Sequence, residues 1–279
     1  MSSPAREPHA VPCPVCASAP MQTASHLHGF PLLHCRSCGH DMLFTEGADL
    51  SLLYDTHYAG FREDPVFQRR VREVLATQIA PLLPERARVL DIGCGNGEFL
   101  LAAQEQGHKV LGVDFSQAAA DACARRGVPA RAVNVLTHDF AGDAPFDLIT
   151  LWDVCEHLDH PFELLARARS LLAPGGLLVL KVPCFPPRAI RIATTVPRLA
   201  GGLLGSPSHI QYFRPETLTT LLRRAGFPLI QAEPLPPMRS DRPRKSPVAL
   251  AKRRLLRTLT RLSGASNTLV RARLEHRTG

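Results

Sequence analysis

The order of apolar and polar residues along the chain predicts strands that alternate with helices. Nearly continuous apolar runs, typical of buried parallel strands, are followed by stretches with an apolar residue at every third or fourth position. The predicted strands are residues 89–92, 109–114, 128–135, 146–152, 177–182 and 226–232. The predicted helices are residues 65–79, a segment that starts at Phe99, residues 161–172 and residues 215–225. This alternation predicts an α/β fold with a largely parallel sheet.

A glycine-rich turn, residues 93–97, joins the first of these strands to its helix. Such a strand, turn and helix open the nucleotide-binding α/β folds, and glycines let the backbone approach a ligand closely. The spacing is Gly-x-Gly-x-Gly, unlike the Gly-x-Gly-x-x-Gly of dinucleotide folds, and Asp91 before the turn would repel a phosphate. Asp114 ends the second strand 21 residues after Gly93, where a carboxylate accepts hydrogen bonds from ribose hydroxyls. The two carboxylates favour a nucleoside that carries positive charge.

These residues resemble the cofactor site of class I S-adenosylmethionine-dependent methyltransferases. The resemblance covers roughly residues 85–232 and implies a Rossmann-like sheet of seven strands. It also implies that Asn134 and Val135 contact the adenine and that Trp152 flanks the methionine part of the cofactor. The cofactor-binding residues that it implies are Asp91, Gly93, Gly95, Asn96, Gly97, Asp114, Phe115, Asn134, Val135 and Trp152.

Two Cys-x-x-Cys pairs near the N-terminus predict a zinc ribbon. Cys13 and Cys16 are separated by 18 residues from Cys35 and Cys38, and four thiolates complete a tetrahedral zinc site with no open position. The segment 22–33 has the length of a hairpin, and a module this small needs the metal for its stability. Redox dithiols are the weaker alternative. Because the thiolates complete the site, four nearby histidines are interpreted as surface residues: His26, His28, His34 and His40.

Candidate catalytic residues follow the fourth and fifth strands. Asp153-Val-Cys-Glu156-His157 resembles the Glu-x-x-Glu-His of ubiquinone-biosynthesis O-methyltransferases, which implies a divalent metal such as Mg²⁺ that lowers the pKa of a substrate hydroxyl. In this chain Asp153 replaces the first glutamate of that pattern, and its shorter side chain reaches less far towards a metal ion. The alternative to a metal site is that the segment is a helix N-terminus with acidic caps. The segment from His209 to Tyr212 and Phe213 resembles zinc-ribbon sugar methyltransferases, which implies His209 as general base. Its alternative role is to hydrogen-bond its own loop. The candidates are Asp153, Glu156, His157, His209 and Tyr212.

The cysteine pairs, the resemblance to methyltransferases and a shift to Pro, Arg and Ser after Pro234 together suggest four regions. They are a zinc ribbon (1–45), a helical cap (46–84), a methyltransferase core (85–235) with a pocket-covering insertion (185–207), and a basic linker with an amphipathic tail (236–279). In the cap, Tyr54, Tyr58 and Arg62 would share one helix face, which suits either a lid or a packing surface.

The positive charge is confined to the tail. The whole chain carries +8, whereas residues 239–279 hold 12 basic and 2 acidic residues, which leaves 21 basic and 23 acidic residues elsewhere. The apolar spacing over 248–262 predicts a basic amphipathic helix, which could bind an anionic membrane surface or an acidic partner, or could pack on the body of the enzyme. The lack of aromatic residues in the tail disfavours binding to nucleic acid. With no long apolar run and no apolar N-terminal core, a cytoplasmic protein is expected, with peripheral membrane contact through the tail.

The sequence thus predicts transfer of a methyl group from S-adenosylmethionine to oxygen or carbon of a small molecule that is hydroxylated, a sugar or lipid-linked. One alternative is an RNA or protein methyltransferase that docks its substrate through the ribbon and tail. The absence of an Asn/Asp-Pro-Pro-Tyr signature after the fourth strand argues against it. The other is a non-catalytic binding protein, which the intact Asp91, glycines and Asp114 disfavour.

Overall fold

The computed structural model describes residues 11–45, 65–206, 208–235 and 264–275, which form two sheets. The larger sheet contains β4 (Arg88–Ile92), β5 (Lys109–Asp114), β6 (Ala130–Ala132), β7 (Phe146–Trp152), β8 (Leu172–Cys184), β10 (Leu229–Leu235) and β11 (Ser266–Arg273). The smaller sheet contains β1 (Gln22–Leu27), β2 (Phe30–His34), β3 (Asp41–Leu43) and β9 (Gln211–Tyr212). The α-helices are α1 (Pro65–Val74), α2 (Glu98–Glu105), α3 (Gln117–Arg125), α4 (Pro161–Leu171), α5 (Pro187–Thr195), α6 (Ala200–Leu203) and α7 (Pro215–Arg224).

The larger sheet has the strand order β10-β11-β8-β7-β4-β5-β6, which confirms the predicted seven-stranded α/β fold. Strands β4 to β8 pair in parallel, as their apolar runs predict. The predicted strands 109–114 and 146–152 are observed with the same bounds, whereas the third strand is shorter than predicted and the fifth is longer. Because β4, β5 and β7 are parallel neighbours, their carboxyl ends meet at one edge, where ligands bind in such sheets.

Strand β11 lies in the region predicted as linker and tail. It is inserted between β8 and β10 and is antiparallel to both. Leu269, Val270 and Ala272 are buried, while Arg271 and Arg273 donate hydrogen bonds to the carbonyls of residues 78 and 82. Residues 266–273 therefore belong to the sheet and not to a linker or tail. Their arginines gave the segment the basic composition of a tail and obscured its strand pattern.

The ribbon is joined to the core by main-chain pairing. Strands β1 and β2 form the predicted hairpin, with Gln22 opposite His34, and β3 pairs with β2. Strand β9, which follows the candidate base in sequence, pairs with β3 as the fourth strand of the ribbon sheet. Arg214 Nη2 also lies 2.7 Å from Asp41 Oδ2 of β3. The ribbon and the segment that carries His209 thus form one structural unit.

The insertion 185–207 folds into α5 and α6, with a 3-10 turn between them. Ile190, Ala193 and Leu203 are buried in one apolar cluster with Leu27 and Leu32 of the ribbon hairpin. The insertion therefore packs against the ribbon as well as the core.

Two predicted features lie outside the described residues. These are the cap face of Tyr54, Tyr58 and Arg62 and the amphipathic helix over 248–262, so the lid and the membrane-surface contact stay predictions. In the part of the chain that the structure describes, every helix is too short or too polar to cross a membrane. The predicted helix 65–79 is observed as α1, which continues as a π-helical turn over Leu75–Ile79.

Candidate active site

The turn after β4 requires glycine. Gly93, Gly95 and Gly97 have φ angles of 73°, 53° and 73°, in the left-handed region that other residues seldom adopt. A Cβ atom on Gly93 would lie 2.6 Å from Val154 Cγ2. A side chain at this position would therefore clash with Val154, and Gly93 and Gly95 both line a cavity at this edge of the sheet.

Asp114 ties the end of β5 to this turn. Its Oδ2 accepts a hydrogen bond from the backbone N–H of Gly95 at 3.0 Å, and its Oδ1 accepts one from Ser116 N at 3.0 Å. The residue is buried and lies on the wall of a cavity. Because each carboxylate oxygen can accept more than one hydrogen bond, Asp114 is oriented to bind further hydroxyl groups in that cavity.

Asp91 lies below the turn and is almost completely buried. Thr150 Oγ1 donates a hydrogen bond to its Oδ1 at 2.6 Å. Burial raises the pKa of Asp91 to about 7, and the negative charge of Asp114 acts in the same direction. A cation bound at the sheet edge would favour the ionised form, which agrees with the predicted positively charged nucleoside.

The cavity has a volume of about 1160 Å³ and runs from the glycine turn to the loops after β7 and β8. Phe115 on its wall is 71% exposed, unusual for a large apolar side chain, and it offers a ring face to a planar group. Trp152 lies on the same wall, with its ring centroid 5.4 Å from that of Phe99. Val135 also lines the cavity.

Four predicted cofactor-binding residues are not among the described residues that line the cavity. Asp91 is buried beneath it, and Gly97 is the residue before α2. Asn96 Nδ2 donates to Glu98 Oε1 at 3.2 Å, and Asn134 Oδ1 accepts from Leu136 N at 2.9 Å. The contact of all four with a cofactor stays a prediction.

At the other end of the cavity, Glu156, His157 and His209 come together. Glu156 Oε1 lies 4.0 Å from His157 Nε2 and 4.0 Å from His209 Nε2, and the two imidazole centroids are 4.9 Å apart. Both histidines line the cavity. Glu156 is 0% exposed, and neither of its carboxylate oxygens has a hydrogen-bond partner among the described residues. Burial, together with the charge of Asp153, raises the pKa of Glu156 well above its usual range.

Both histidines are held by backbone carbonyls. His157 Nδ1 lies 2.9 Å from Ser208 O, and His209 Nδ1 lies 3.0 Å from Leu204 O. A carbonyl oxygen only accepts, so each Nδ1 carries the proton, and in the neutral ring the Nε2 atom holds the lone pair. Both imidazoles therefore present a basic nitrogen next to Glu156. The two alternatives for His209, a base and a loop anchor, are compatible because they use different ring nitrogens.

Asp153 is positioned differently from the other members of the predicted cluster. It lines the cavity and forms an ion pair with Lys181 Nζ, a buried cation at the end of β8. Its φ angle of 55° is in the left-handed region, which turns the chain away from β7. Sequence reasoning missed Lys181, since a lysine in the apolar strand 177–182 was the only signal for it.

Tyr212, the last catalytic candidate, is 0% exposed and is not among the described residues that line the cavity. Its ring packs 5.7 Å from that of Phe185, between the insertion and the ribbon. Burial raises the pKa of its hydroxyl. Among the described residues, Tyr212 therefore does not share the cavity wall with Asp153, His157 and His209.

The four ribbon cysteines converge as predicted. All are free thiols, and their sulfur atoms lie within 4.8 Å of one another. The Sγ–Sγ distance is 3.7 Å for Cys13 and Cys38 and 3.6 Å for Cys16 and Cys35. Sulfurs bound to tetrahedral zinc at about 2.3 Å would be about 3.8 Å apart, so the cluster fits this ion.

One histidine of the ribbon is not a surface residue. His40 is 0% exposed, and its Nε2 lies 2.7 Å from Oε1 of Gln211 on β9. The amide of Gln211 in turn donates to Leu158 O at 2.8 Å, in the loop that carries Glu156 and His157. The surface interpretation of His40 was wrong because no local pattern indicated that β9 would join the ribbon sheet.

Comparison with known families agrees with this geometry. Residues 67–232, more than half of the chain, match a family model described as a methyltransferase domain. The chain is 29% identical over 160 residues to a ubiquinone biosynthesis O-methyltransferase of Xanthomonas axonopodis, which covers 54% of this chain and 66% of that protein. It is 28% identical over 181 residues to the protein of the same name from Cereibacter sphaeroides, with 60% and 70% covered.

Solved structures show the same fold. A SAM-dependent methyltransferase from Archaeoglobus fulgidus superposes with a TM-score of 0.54 at 23% identity and covers 81% of this chain and 100% of that one. The 1,6-didemethyltoxoflavin-N1-methyltransferase of Burkholderia thailandensis, which was solved with S-adenosylhomocysteine, gives a TM-score of 0.53 at 20% identity, with 87% and 98% covered. The fold, the cofactor-type turn and the family match agree, and the chain belongs to the methyltransferase domain family.

Proposed function

We propose that this protein transfers a methyl group from S-adenosylmethionine to a small hydroxylated acceptor. The observation that carries the proposal is the single cavity that extends from Asp114 and Phe115 to His157 and His209. One end of it has the groups that a nucleoside needs, and the other has groups that can take up a proton. The cavity is large enough for a cofactor and a small acceptor together.

The described residues account for cofactor binding as follows. Asp114, already oriented by two backbone N–H groups, would accept hydrogen bonds from the ribose hydroxyls. The exposed ring of Phe115 would stack on the adenine, and the glycine turn would let the methionine part approach the backbone. The buried Asp91 would stabilise the positive charge of the cofactor through space.

The cofactor supplies an electrophilic methyl group: the acceptor forms a bond to the methyl carbon as the sulfur–carbon bond breaks, and the electron pair stays on sulfur. The acceptor loses one proton in this exchange. The groups that we assign to this proton are Nε2 of His209 and Nε2 of His157, because both imidazoles are on the cavity wall. A neutral imidazole in this position takes a hydroxyl proton efficiently near neutral pH, and positioning supplies much of the remaining acceleration.

The comparisons favour oxygen over carbon as the acceptor atom. Two relatives at 28% and 29% identity are named as O-methyltransferases, and both are called ubiquinone biosynthesis enzymes. The wall near the histidines also contains Leu158, Leu164 and Pro183. Such a surface suits an acceptor with an apolar ring or chain next to its hydroxyl group. Carbon methylation of a sugar-like acceptor is the alternative that the His209 segment suggests.

The zinc that the ribbon cysteines would hold has a structural role. A site of four thiolates has no open position for a substrate. The ribbon sheet instead includes β9, so a folded ribbon would hold the His209 segment in place.

Calorimetric titration with S-adenosylmethionine tests the function directly. We expect one binding site per chain in the wild type and a loss of affinity of at least about 100-fold in Asp114→Ala, because several charge-assisted hydrogen bonds disappear. His209→Ala should keep cofactor affinity and lose turnover with a hydroxylated acceptor. Wild-type protein without cofactor affinity, or equal affinity in Asp114→Ala, would overturn the proposal.

A further inference from the structure

We propose that Cys94 and Cys123 form a reversible disulfide beneath the glycine turn and that this disulfide weakens cofactor binding. The two Sγ atoms are 3.9 Å apart, and both residues are free thiols. Cys94 belongs to the turn itself, between Gly93 and Gly95, whereas Cys123 is in α3, 29 residues later. Formation of the disulfide does not depend on the proposed function, whereas its effect on the cofactor rests on it.

A short chain of hydrogen bonds orders the two thiols. Cys123 Sγ donates to Gly95 O at 3.3 Å, because a carbonyl oxygen only accepts. The proton between the two sulfurs is therefore that of Cys94, which donates to Cys123. This hydrogen bond, together with the positive charge of Arg126, lowers the pKa of Cys123, and it raises the pKa of Cys94. Cys123 is thus the more readily ionised thiol of the pair, and the thiolate is the reacting form.

Two glycines leave room for this pair of sulfurs. A Cβ atom on Gly112, within β5, would lie 2.7 Å from Cys94 Sγ, and a Cβ atom on Gly97 would lie 2.9 Å from Cys123 Sγ. Glycine weakens the interior of a strand and often marks a place where another group approaches closely. The contact between the two thiols is therefore part of the packing of the turn, β5 and α3.

Oxidation of the pair requires a small oxidant such as hydrogen peroxide. Cys123 is completely buried, and Cys94 is 7% exposed, between two glycines that line the cavity. In the balanced reaction both thiols lose their protons and the sulfur–sulfur bond forms as the oxygen–oxygen bond of the peroxide breaks. The two protons and two electrons leave in two molecules of water. A dithiol reductant reverses the change by thiol–disulfide exchange.

The disulfide would act on the groups that we assign to the cofactor. Bonded sulfurs are about 2.05 Å apart, so the pair would close by about 1.9 Å and draw Cys94 towards α3. Cys123 would also lose the S–H that binds Gly95 O, while the N–H of Gly95 binds Asp114 Oδ2 at 3.0 Å. Both changes displace the turn and the carboxylate that we expect to bind the ribose.

The test uses the full-length protein with zinc in its ribbon, either reduced or treated with hydrogen peroxide. Peptide mapping by mass spectrometry after alkylation should find a linkage between Cys94 and Cys123, which dithiothreitol removes. Calorimetry should show S-adenosylmethionine binding at least about tenfold more weakly to the oxidised form. By reciprocity, saturating S-adenosylmethionine should raise the reduction potential of the pair, measured in dithiothreitol buffers, by about 30 mV for each tenfold change in affinity.

Cys123→Ser is the critical variant, because its hydroxyl keeps a donor for Gly95 O and cannot form the disulfide. Its cofactor affinity should be within about threefold of that of the reduced wild type, and peroxide should leave it unchanged. Cys94→Ala should be equally insensitive to peroxide. Cys184→Ser is the matched control, since it removes a buried cysteine of β8 and should still form the linkage and lose affinity on oxidation.

Three results would overturn the proposal. The first is an oxidised wild type in which Cys94 and Cys123 stay unlinked, and the second is a linked protein whose cofactor affinity equals that of the reduced form. The third is a loss of affinity that Cys123→Ser shares, because another oxidised group, such as a ribbon thiol, would then cause it. The proposed function fails separately: a reduced wild type without cofactor affinity refutes methyl transfer, while a linkage in the same sample confirms the modification site.

Discussion

The link between ribbon and active site depends on Gln211, and its replacement by leucine gives the most specific prediction. The side chain is 0% exposed, accepts a hydrogen bond from His40 Nε2 at 2.7 Å and donates one to Leu158 O at 2.8 Å. Leucine would leave the imidazole N–H and the carbonyl without their partner. Each buried polar group left unpaired costs about 1–3 kcal/mol, so Gln211→Leu should lower the free energy of unfolding by about 2–4 kcal/mol.

The functional consequence should be confined to one end of the cavity. Gln211 is two residues after His209 and hydrogen-bonds the loop that carries His157, whereas Asp114 and Phe115 lie at the other end. We expect cofactor affinity within about twofold of wild type and turnover lowered at least tenfold, because small displacements of reacting groups are costly. Urea denaturation, calorimetry with S-adenosylmethionine and a methyl-transfer assay measure the three quantities.

Gln231→Leu is the matched control, because Gln231 is an exposed glutamine on a strand at the edge of the other sheet. It should change the unfolding free energy by less than about 0.5 kcal/mol. If Gln211→Leu is as stable as this control, the buried hydrogen bonds of Gln211 contribute nothing to stability. Equal losses of cofactor affinity and turnover would show that the ribbon supports the whole core and not the acceptor end.

Three further predictions follow from single residues. Phe115→Ala should weaken S-adenosylmethionine binding about tenfold, as loss of a stacked ring does, and unchanged affinity by calorimetry would place the adenine elsewhere. In the cofactor-free protein the pKa of Asp91 is about 7, whereas its pKa in the unfolded chain is 3.8. Between these two pH values the folded protein keeps a proton on Asp91 that the unfolded chain releases. The contribution of Asp91 to the free energy of unfolding therefore falls as pH rises from about 4 to 7. Asp91→Asn should therefore gain stability over wild type across that window, by up to about 4 kcal/mol, and denaturation curves with a pH-independent difference would contradict this. Cys35→Ser should lose the zinc that mass spectrometry detects in the wild type, whereas Cys184→Ser should retain it; zinc in both variants would exclude the four-cysteine site.

The parts of this protein that follow from the sequence are those whose signal is local. The turn at residues 93–97 and Asp114 are parts of one strand–helix–strand unit, so their spacing already predicts which groups meet at the sheet edge. The zinc cluster was also predictable from a local signal, because each Cys-x-x-Cys knuckle turns two thiolates towards one ion. Strand β7 was predicted with its observed bounds because its burial on both faces requires an apolar run.

Features that depend on pairing between distant segments were not predicted. Strand β11 has a basic composition, and only its place between β8 and β10 shows that Thr268, Leu269, Val270 and Ala272 are buried. His40 was taken for a surface residue because its partner, Gln211, is 171 residues away. Neither segment has a local pattern that reveals its partner.

The active site has some features with a local sequence signal and others that depend on pairing between distant segments. The sequence by itself determined the family, the groups at the glycine-turn end of the cavity and a list of candidate catalytic residues, because short motifs and strand periodicity encode them. Only the tertiary structure decided how those candidates divide: Glu156, His157 and His209 form one cluster, Asp153 pairs with Lys181, and Tyr212 is buried away from the cavity. The physical reason is that β9 pairs with the ribbon strand β3, and this long-range pairing positions the chain before it at the end of β7.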